Sequence, residues 1–430
     1  MKPEFHPDPQ RSEPLYLQVL NYLKERIADG TYSANTAMPS ELELIEMLQV
    51  SRPTVRHAMQ ILIEEGLVER APGRGTFIVE KTSAIKQRPR TGNLAIIVPE
   101  VRDSFLMKII RGAEYIASQR GYHLLLCNAG NQIGLEQKCL SEVWDGGKVD
   151  GILLMPADAH QPHQMLQRMI AEGVPMVFID RYFPETNVPF VTSKNIEGGY
   201  LLTHHLLERG YRKIGFVTRP NLYVTSVAER LQGYKQALQE AGISYDPSLI
   251  FQNMLPFLSA IQVLGKTAPE LADYDRAAMK EFLTYSGRPE AVVSCNDVIA
   301  AQLYEVCAEL NLRIPDDIAI VGFDDDTIAP LLNPPLTTIH QQSQAMGARA
   351  ASILINILSS KRAEAGPAAK PTARVYEEEL FVFLPVEMKI RKSSGSVEGG
   401  QPLPGTGGRL SSTPHITSTS QVSEKTPHGS

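Results

Sequence analysis

The chain has 430 residues, 43% of them hydrophobic and 21% charged, and carries a formal net charge of −6. That length suits two or three domains with a sizeable core, and the composition excludes a collagen, a coiled-coil rod and a wholly disordered chain. The acidic balance argues at first against a nucleic-acid partner, whose usual signature is a basic patch, so the charge has to be followed segment by segment.

Residues 1–13 are polar and proline-rich and read as a disordered N-terminus; they contain no apolar h-region of a secretory signal. No run approaches the ~18 consecutive apolar residues of a membrane helix. Cys127, Cys139, Cys295 and Cys307 show no C-x-x-C pairing. They read as reduced thiols of a cytoplasmic protein.

Residues 14–80 read as one compact unit. Tyr16, Leu20, Leu23 and Ile27 recur at helical spacing. Ser40 and Glu43 have capping-box spacing ahead of a short helix that buries Leu44, Ile45 and Leu48. Ser51 is placed to cap a third helix, with Pro53 in its first turn. On that helix Val55, Met59 and Leu62 share one face, while Arg52, Arg56 and Gln60 fall four apart on another. Two segments, 67–70 and 76–79, then flank a Pro72-Gly73-Arg74-Gly75 hairpin tip that carries a cation. Two guanidiniums near a helix N-terminus reach guanine edges or phosphates in a major groove. In isolation they fit a solvated helix surface equally well. Local charge favours DNA: from Gln49 to Arg90 eight cations face four anions, opposite in sign to the whole chain.

The segments Pro14-Leu15-Tyr16-Leu17-Gln18, Met38-Pro39-Ser40-Glu41, Val50-Ser51-Arg52-Pro53-Thr54-Val55-Arg56, Gly66-Leu67-Val68-Glu69-Arg70 and Gly73-Arg74-Gly75-Thr76-Phe77 resemble the winged helix of GntR-family transcription regulators. The resemblance implies a winged helix-turn-helix domain of α+β class. Its expected DNA-facing set is Ser40, Ser51, Arg52, Thr54, Arg56 and, in the wing, Gly73, Arg74 and Gly75. Many family members carry Arg where this chain has Leu42, so one DNA contact is expected to be missing.

Residues 81–92 are polar, basic and aperiodic, and read as a linker. From Asn93 short Val- and Ile-rich runs alternate with amphipathic stretches: 94–98, 124–127, 152–155, 176–179, 214–217, 291–294 and 318–321. This is the βα alternation of parallel sheets covered on both faces, enough for two α/β lobes. Such folds bind ligands beyond the carboxyl ends of strands. There the sequence places Asp103 and Phe105, Asp180, Arg230, Asn296 and Asp324. Asp, Asn and Arg bind vicinal hydroxyls through paired hydrogen bonds, and an aromatic face covers the apolar side of a sugar ring. Each residue alone also fits a cap or a turn.

Val177-Phe178-Ile179-Asp180-Arg181, Glu229-Arg230-Leu231-Gln232-Gly233-Tyr234, Cys295-Asn296-Asp297 and Ile314-Pro315-Asp316-Asp317-Ile318-Ala319-Ile320-Val321-Gly322-Phe323-Asp324-Asp325 resemble the LacI/GalR effector domain, which shares the fold of periplasmic sugar-binding proteins. The resemblance runs from 93 to 392 and implies effector contacts at Asp180, Arg230, Asn296, Asp324 and Gln341, with Asn195 near a crossover between lobes. The segment 246–275 is longer than the family spacing. A GntR winged helix on such a domain is similar to the arabinose-repressor family of Gram-positive bacteria. It implies a homodimeric repressor that binds double-stranded operator DNA and is released by a small sugar, L-arabinose first.

No catalytic constellation, metal-ligand spacing or cofactor motif stands out, so neither an enzyme nor a metalloprotein is expected. His160 and His163 lie in a loop that reads as solvated. His204 and His205 read as capping or packing residues. Asp324, Asp325 and Asp326 are consecutive and lack the alternating spacing of a calcium loop. Residues 393–430, dominated by Ser, Thr, Gly and Pro, read as a disordered tail. The alternative reading is a sugar-binding transport-type protein; the winged helix and the lack of a signal segment count against it.

Overall fold

The computed structural model describes residues 14–28, 38–64, 68–71, 75–78, 90–100, 104–255, 268–364 and 379–395, with residues 7, 31 and 32. The expectations for Gly73, Arg74 and Asp103, and for most of the N-terminus, linker and tail, lie outside these. The chain forms two compact units, 1–91 with 164–174, and 92–163 with 175–430.

The first unit begins with α1 (Leu15–Ala28), α2 (Glu41–Leu48) and α3 (Arg52–Glu64). A two-stranded antiparallel ribbon follows, β1 (Val68–Ala71) and β2 (Gly75–Ile78), with Val68 opposite Ile78. The expected capping box starts α2: the Glu43 amide donates to Ser40 Oγ at 3.3 Å, and the Ser40 amide to Glu43 Oε2 at 2.7 Å. Val19, Leu23, Leu44, Leu48, Val55, Leu62, Val68 and Ile78 close a small core.

The second unit holds two six-stranded sheets. The first lobe has β3 (Asn93–Val98), α4 (Ser104–Gln119), β4 (His123–Asn128), α5 (Ile133–Leu140), β5 (Gly151–Leu154), β6 (Met176–Ile179) and β7 (Phe190–Ser193). Between β5 and β6 runs α6 (Gln164–Ala171), which groups with the first unit. The second lobe has α7 (Asn195–Glu208), β8 (Ile214–Val217), α8 (Thr225–Glu240), β9 (Ile250–Phe251), α9 (Ala268–Thr284), β10 (Ala291–Ser294), α10 (Asp297–Glu309), β11 (Ala319–Asp324) and β12 (Thr337–His340). Then α11 (Ser343–Glu364) and β13 (Phe381–Leu384) return to the first lobe, and β14 (Glu387–Lys389) closes the second.

The sheets run β4-β3-β5-β6-β7-β13 and β9-β8-β10-β11-β12-β14. Their first five strands share the doubly wound order 2-1-3-4-5. Pairing is parallel except for β14. The chain changes lobes at residues 194, 341–342 and 385–386, and the crossovers are tied together: the Lys194 amide donates to the Leu384 carbonyl at 2.9 Å. β5, β6, β8 and β10 are buried along their whole length, which explains their unbroken apolar runs.

Two sequence readings change, and one strand was not read at all. Ser393 and Ser394 are not tail. Both are fully buried in a short 3-10 turn. Ser393 Oγ donates to the Ile320 carbonyl at 2.6 Å, and Ser394 Oγ lies 2.8 Å from His205 Nε2. Hydrogen bonding, not apolar area, holds this polar segment. His163 is not solvated: Glu136 Oε1 lies 3.0 Å from its Nε2, and both side chains are buried. The polar strand β12 gave no apolar run; its Thr337 and Thr338 hydroxyls are hydrogen-bonded within the core. His205 packs, as read, with its pKa pushed down to about 4 by burial and by Arg209.

Each lobe is braced by a pair of helices in backbone contact through one glycine from each. A Cβ on Gly112 or Gly347 would lie 1.9 Å from a carbonyl oxygen of the facing helix in the α4–α11 pair. Gly199 and Gly233 play the same part between α7 and α8, at 2.1 and 2.0 Å. Gly233→Ala must therefore push two helices apart, and overpacking of this kind costs about 1–3 kcal/mol. Chemical denaturation should show a lower midpoint for Gly233→Ala than for an alanine at the exposed Gln236.

Candidate functional site

Two surfaces carry the chemistry. In the first unit, Arg52 and Arg56 project from α3 and Arg70 from β1, with side chains 65%, 64% and 62% exposed. They converge on one carboxylate. Glu41 Oε1 accepts from Arg70 Nη2 at 2.6 Å, and Oε2 lies 3.7 Å from Arg56 Nε and 3.9 Å from Arg52 Nε. Exposed pairs contribute little to stability, about 0–1 kcal/mol each. Their effect is geometric: the anion fans three guanidiniums from two elements into one surface. Sequence spacing alone did not flag Glu41, because its partners lie 11 to 29 residues away.

Ser51 lies at the start of α3, its hydroxyl 2.8 Å from that of Thr54. Ser40 is engaged in the capping box. His57, also unflagged, stacks on Tyr16 of α1 with ring centroids 4.1 Å apart. With Arg52, Pro53, Arg56 and Gln60 it lines a shallow concavity on α3. Gly75, at φ +106°, opens β2. Leu42 stands 67% exposed beside Glu41.

The second surface is the cleft between the lobes of the second unit. Arg230 of α8 is 6% exposed. Its Nε donates to Asn195 Oδ1 at 2.9 Å and its Nη1 to the Cys295 carbonyl at 2.7 Å. Nη1 lies 3.8 Å from Asp324 Oδ1, and the guanidinium sits 3.7 Å above the Phe323 ring. Gln341, at the second crossover, donates from Nε2 to Asp324 Oδ1 at 2.6 Å. Arg230, Asp324 and Gln341 thus come together, with Asn195 beside them.

Asp180 follows β6 on the opposite lobe, where Ser226 Oγ reaches its Oδ2 at 3.4 Å. Asp180 and Asp324 both hold positive φ, +65° and +114°, conformations costly for residues with a Cβ and concentrated at functional sites. Among the described residues, Asp180 Oδ1 and Gln341 Oε1 are buried acceptors without a protein partner. Asn296 is differently used: its side chain caps α10, accepting from the Ile299 amide at 2.9 Å. Phe105 lies in the first turn of α4, half-buried against the first lobe's core.

Further polar groups join the lobes. Tyr182 Oη of the first lobe donates to Glu229 Oε1 at 2.6 Å, and within the second lobe Asn195 Nδ2 donates to Glu229 Oε2 at 3.2 Å. Burial raises the Glu229 pKa despite these bonds. Asn221 Nδ2 donates to Asp158 Oδ2 at 3.3 Å, and Asp158 also pairs with Arg181. Burial opposes the Arg181 charge; Asp158 and Asp180 more than restore it, so its pKa is raised. The His160 and Tyr223 rings meet across the mouth, tilted by 31° with centroids 3.9 Å apart. Beneath the cleft, burial pushes Asp297 up to about 7. Gly322 makes room for it, since a Cβ there would meet Asp297 Oδ1 at 2.1 Å. Most of these residues lie in loops between the apolar runs, where spacing carries no signal.

A winged helix with an arginine-rich face, carried on a chain that also builds a two-lobed clamp, defines a ligand-gated DNA-binding regulator. Residues 15–78 match the bacterial regulatory proteins of the gntR family, and residues 203–378 match the periplasmic binding protein-like domain. The arabinose metabolism transcriptional repressor of Halalkalibacterium halodurans is 30% identical over 376 residues, 86% of this chain and 96% of that one. The repressor of the same name from Geobacillus stearothermophilus is 30% identical over 87% and 98%. The structure of a transcriptional regulator CelR–cellobiose complex is similar at 27% identity, with a TM-score of 0.60 over 80% of this chain and 92% of that one. The chain belongs to the family of transcriptional repressors that pair a GntR winged helix with a periplasmic-binding-protein-like effector domain.

Glu41→Ala separates geometry from charge. It makes the arginine face more positive, so electrostatics alone favours tighter DNA binding. Loss of the shared anchor should instead weaken specific binding about threefold to tenfold. Fluorescence anisotropy with a duplex enriched from a random library gives the answer, and tighter specific binding would contradict the geometric role.

Proposed function

We propose that this protein is a sugar-responsive transcriptional repressor that binds operator DNA as a homodimer and is released by L-arabinose. The observation that carries the sugar-binding part is the pair of buried acceptors, Asp180 Oδ1 and Gln341 Oε1. Asp180 belongs to the first lobe and Gln341 to the second crossover, where Gln341 holds the Asp324 carboxylate that faces Arg230. Sugar hydroxyls supply the donors such acceptors need. Arabinose is preferred because the two arabinose repressors match over nearly their whole length.

The proposed contacts are Asp103, Phe105, Asp180, Arg230, Asn296, Asp324 and Gln341. The DNA set is Ser40, Ser51, Arg52, Thr54, Arg56 and residues 73–75. The proposed organisation is a winged helix over 14–80, a linker over 81–92 and a clamp from 93. We place its upper limit at 395, because Ser393 and Ser394 are buried. A repressor acts where the chromosome is, so the cytoplasm is the proposed location. Among the described residues no helix is long and apolar enough to cross a membrane. The DNA-reading unit favours a repressor over a transport-type binding protein, and homology to repressors counts against an enzyme.

Arg52→Glu or Arg56→Glu should abolish binding to the selected duplex and leave sugar binding intact. Arg230→Ala should do the reverse, keeping DNA affinity while losing the response to sugar. A thermal-shift panel of free sugars, phosphorylated sugars and nucleobases tests the effector. Binding stabilises by RT ln(1 + [L]/Kd), about 2.7 kcal/mol at a hundredfold excess over Kd. Stabilisation by phosphorylated sugars alone, or by nucleobases alone, sinks the arabinose assignment.

A further inference from the structure

The loop after β11, in the second lobe, reaches the first turn of α4 in the first. Asp326 Oδ2 accepts from the Ser104 amide at 3.1 Å and from the Ser104 hydroxyl at 2.7 Å. The same hydroxyl accepts from the Thr327 amide at 3.3 Å. One turn further along α4, Lys108 Nζ donates to the Asp325 carbonyl at 3.5 Å.

Asp326 is built in. It is 7% exposed, its amide donates to Asp297 Oδ2 at 2.8 Å, and its Oδ1 accepts from the Thr327 hydroxyl and the Ile328 amide. Its own lobe therefore fixes the carboxylate and leaves Oδ2 for the other lobe. Burial opposes the charge, but these hydrogen bonds hold the pKa below the usual carboxylate value. The carboxylate meets the start of a helix, where free N–H groups and the helix dipole favour an anion. Ser104 supplies both an amide and a hydroxyl; a residue without an amide hydrogen there offers neither bond.

We propose that Ser104 and Asp326 form a closure latch, a helix cap supplied by the opposite lobe that breaks when the cleft opens. Asp326 acts through position rather than by touching effector, and it lies two residues beyond Asp324. The latch biases the clamp toward closure before any ligand arrives, by about tenfold in the closed-to-open ratio. This rests on the two-lobed architecture and not on which sugar binds.

The test is hydrogen exchange followed by mass spectrometry on the full chain without ligand. The reporter is the Tyr182 amide, which donates across the cleft to Thr225 Oγ1 at 3.0 Å and shares no residue with the latch. Asp326→Ala and Ser104→Ala should speed its exchange severalfold while β8 and β10 keep their protection. Ser104→Thr, which keeps amide and hydroxyl, should restore the wild-type rate. Asp326→Asn, close in shape, should fall between. Acceleration confined to 104–106 and 326–328, with Tyr182 unchanged, overturns the latch in favour of a local cap. Equal acceleration in β8, β10 and Tyr182 for all three weakened variants also overturns it, because the pair then supports the whole fold rather than closure.

Discussion

A guanidinium removed from water organises the clamp. Burying Arg230 costs several kcal/mol unless its donors are met, and each partner comes from a different place. Asn195 starts α7 just after the first crossover, Cys295 follows β10, and Asp324 ends β11 and receives Gln341 from the second crossover. The Phe323 ring covers the guanidinium from below. Two hinges and two strand ends are therefore referenced to one cation. An effector that engages Arg230 or Asp324 acts on the groups that set the angle between lobes. Asn195 extends the same network to Glu229 and so to Tyr182 of the other lobe.

The fold was legible where burial is two-sided. The runs at 152–155, 176–179, 214–217 and 291–294 became β5, β6, β8 and β10 because strands covered on both faces need apolar residues at every position. β12 was not legible. Thr337 and Thr338 are buried, but they satisfy their hydroxyls through Ser394 and Asp297, partners distant in sequence. Ser393 and Ser394 escaped for the same reason: their composition is that of a disordered tail, and only the far carbonyl of Ile320 and the ring of His205 make them structural. At the site, residues immediately after apolar runs could be read as candidates. Geometry then divided them. Arg230 and Asp324 converge with Gln341, which only the family resemblance had offered, whereas Asn296 caps a helix. Asp158 and Tyr182 lie in loops where nothing local marks them, and neither the motif that holds Glu229 nor the acidic run that holds Asp326 told what they bond.

The arginine surface of the winged helix follows a different logic from the cleft. Its charges stay in water, so neither desolvation nor pairing energy is large. What the fold contributes is orientation, through Glu41 and through the Tyr16–His57 stack between α1 and α3. Exposed arginines stay available to phosphate, and binding it releases counterions. The net charge of −6 is compatible with this because acidity elsewhere leaves the basic stretch intact and discourages non-specific adhesion.

The energetics of switching follow from the number of polar contacts that span the cleft. Asp326 to Ser104, Glu229 to Tyr182, Thr225 to Tyr182 and Asp158 to Asn221 all join one lobe to the other. Each is replaced by water on opening, so its net worth is about 0.5–1.5 kcal/mol. Together they amount to a few kcal/mol. Driving a two-state equilibrium from 1:99 to 99:1 takes about 5.5 kcal/mol of differential affinity. The protein's own cleft contacts are thus of the same order as the work asked of an effector. The resting balance is set in part by the contacts that span the cleft, apart from the buried Arg230, Asp324 and Gln341 group. Substituting the spanning contacts can shift sensitivity without altering recognition, which separates two properties that a rigid pocket would bind together.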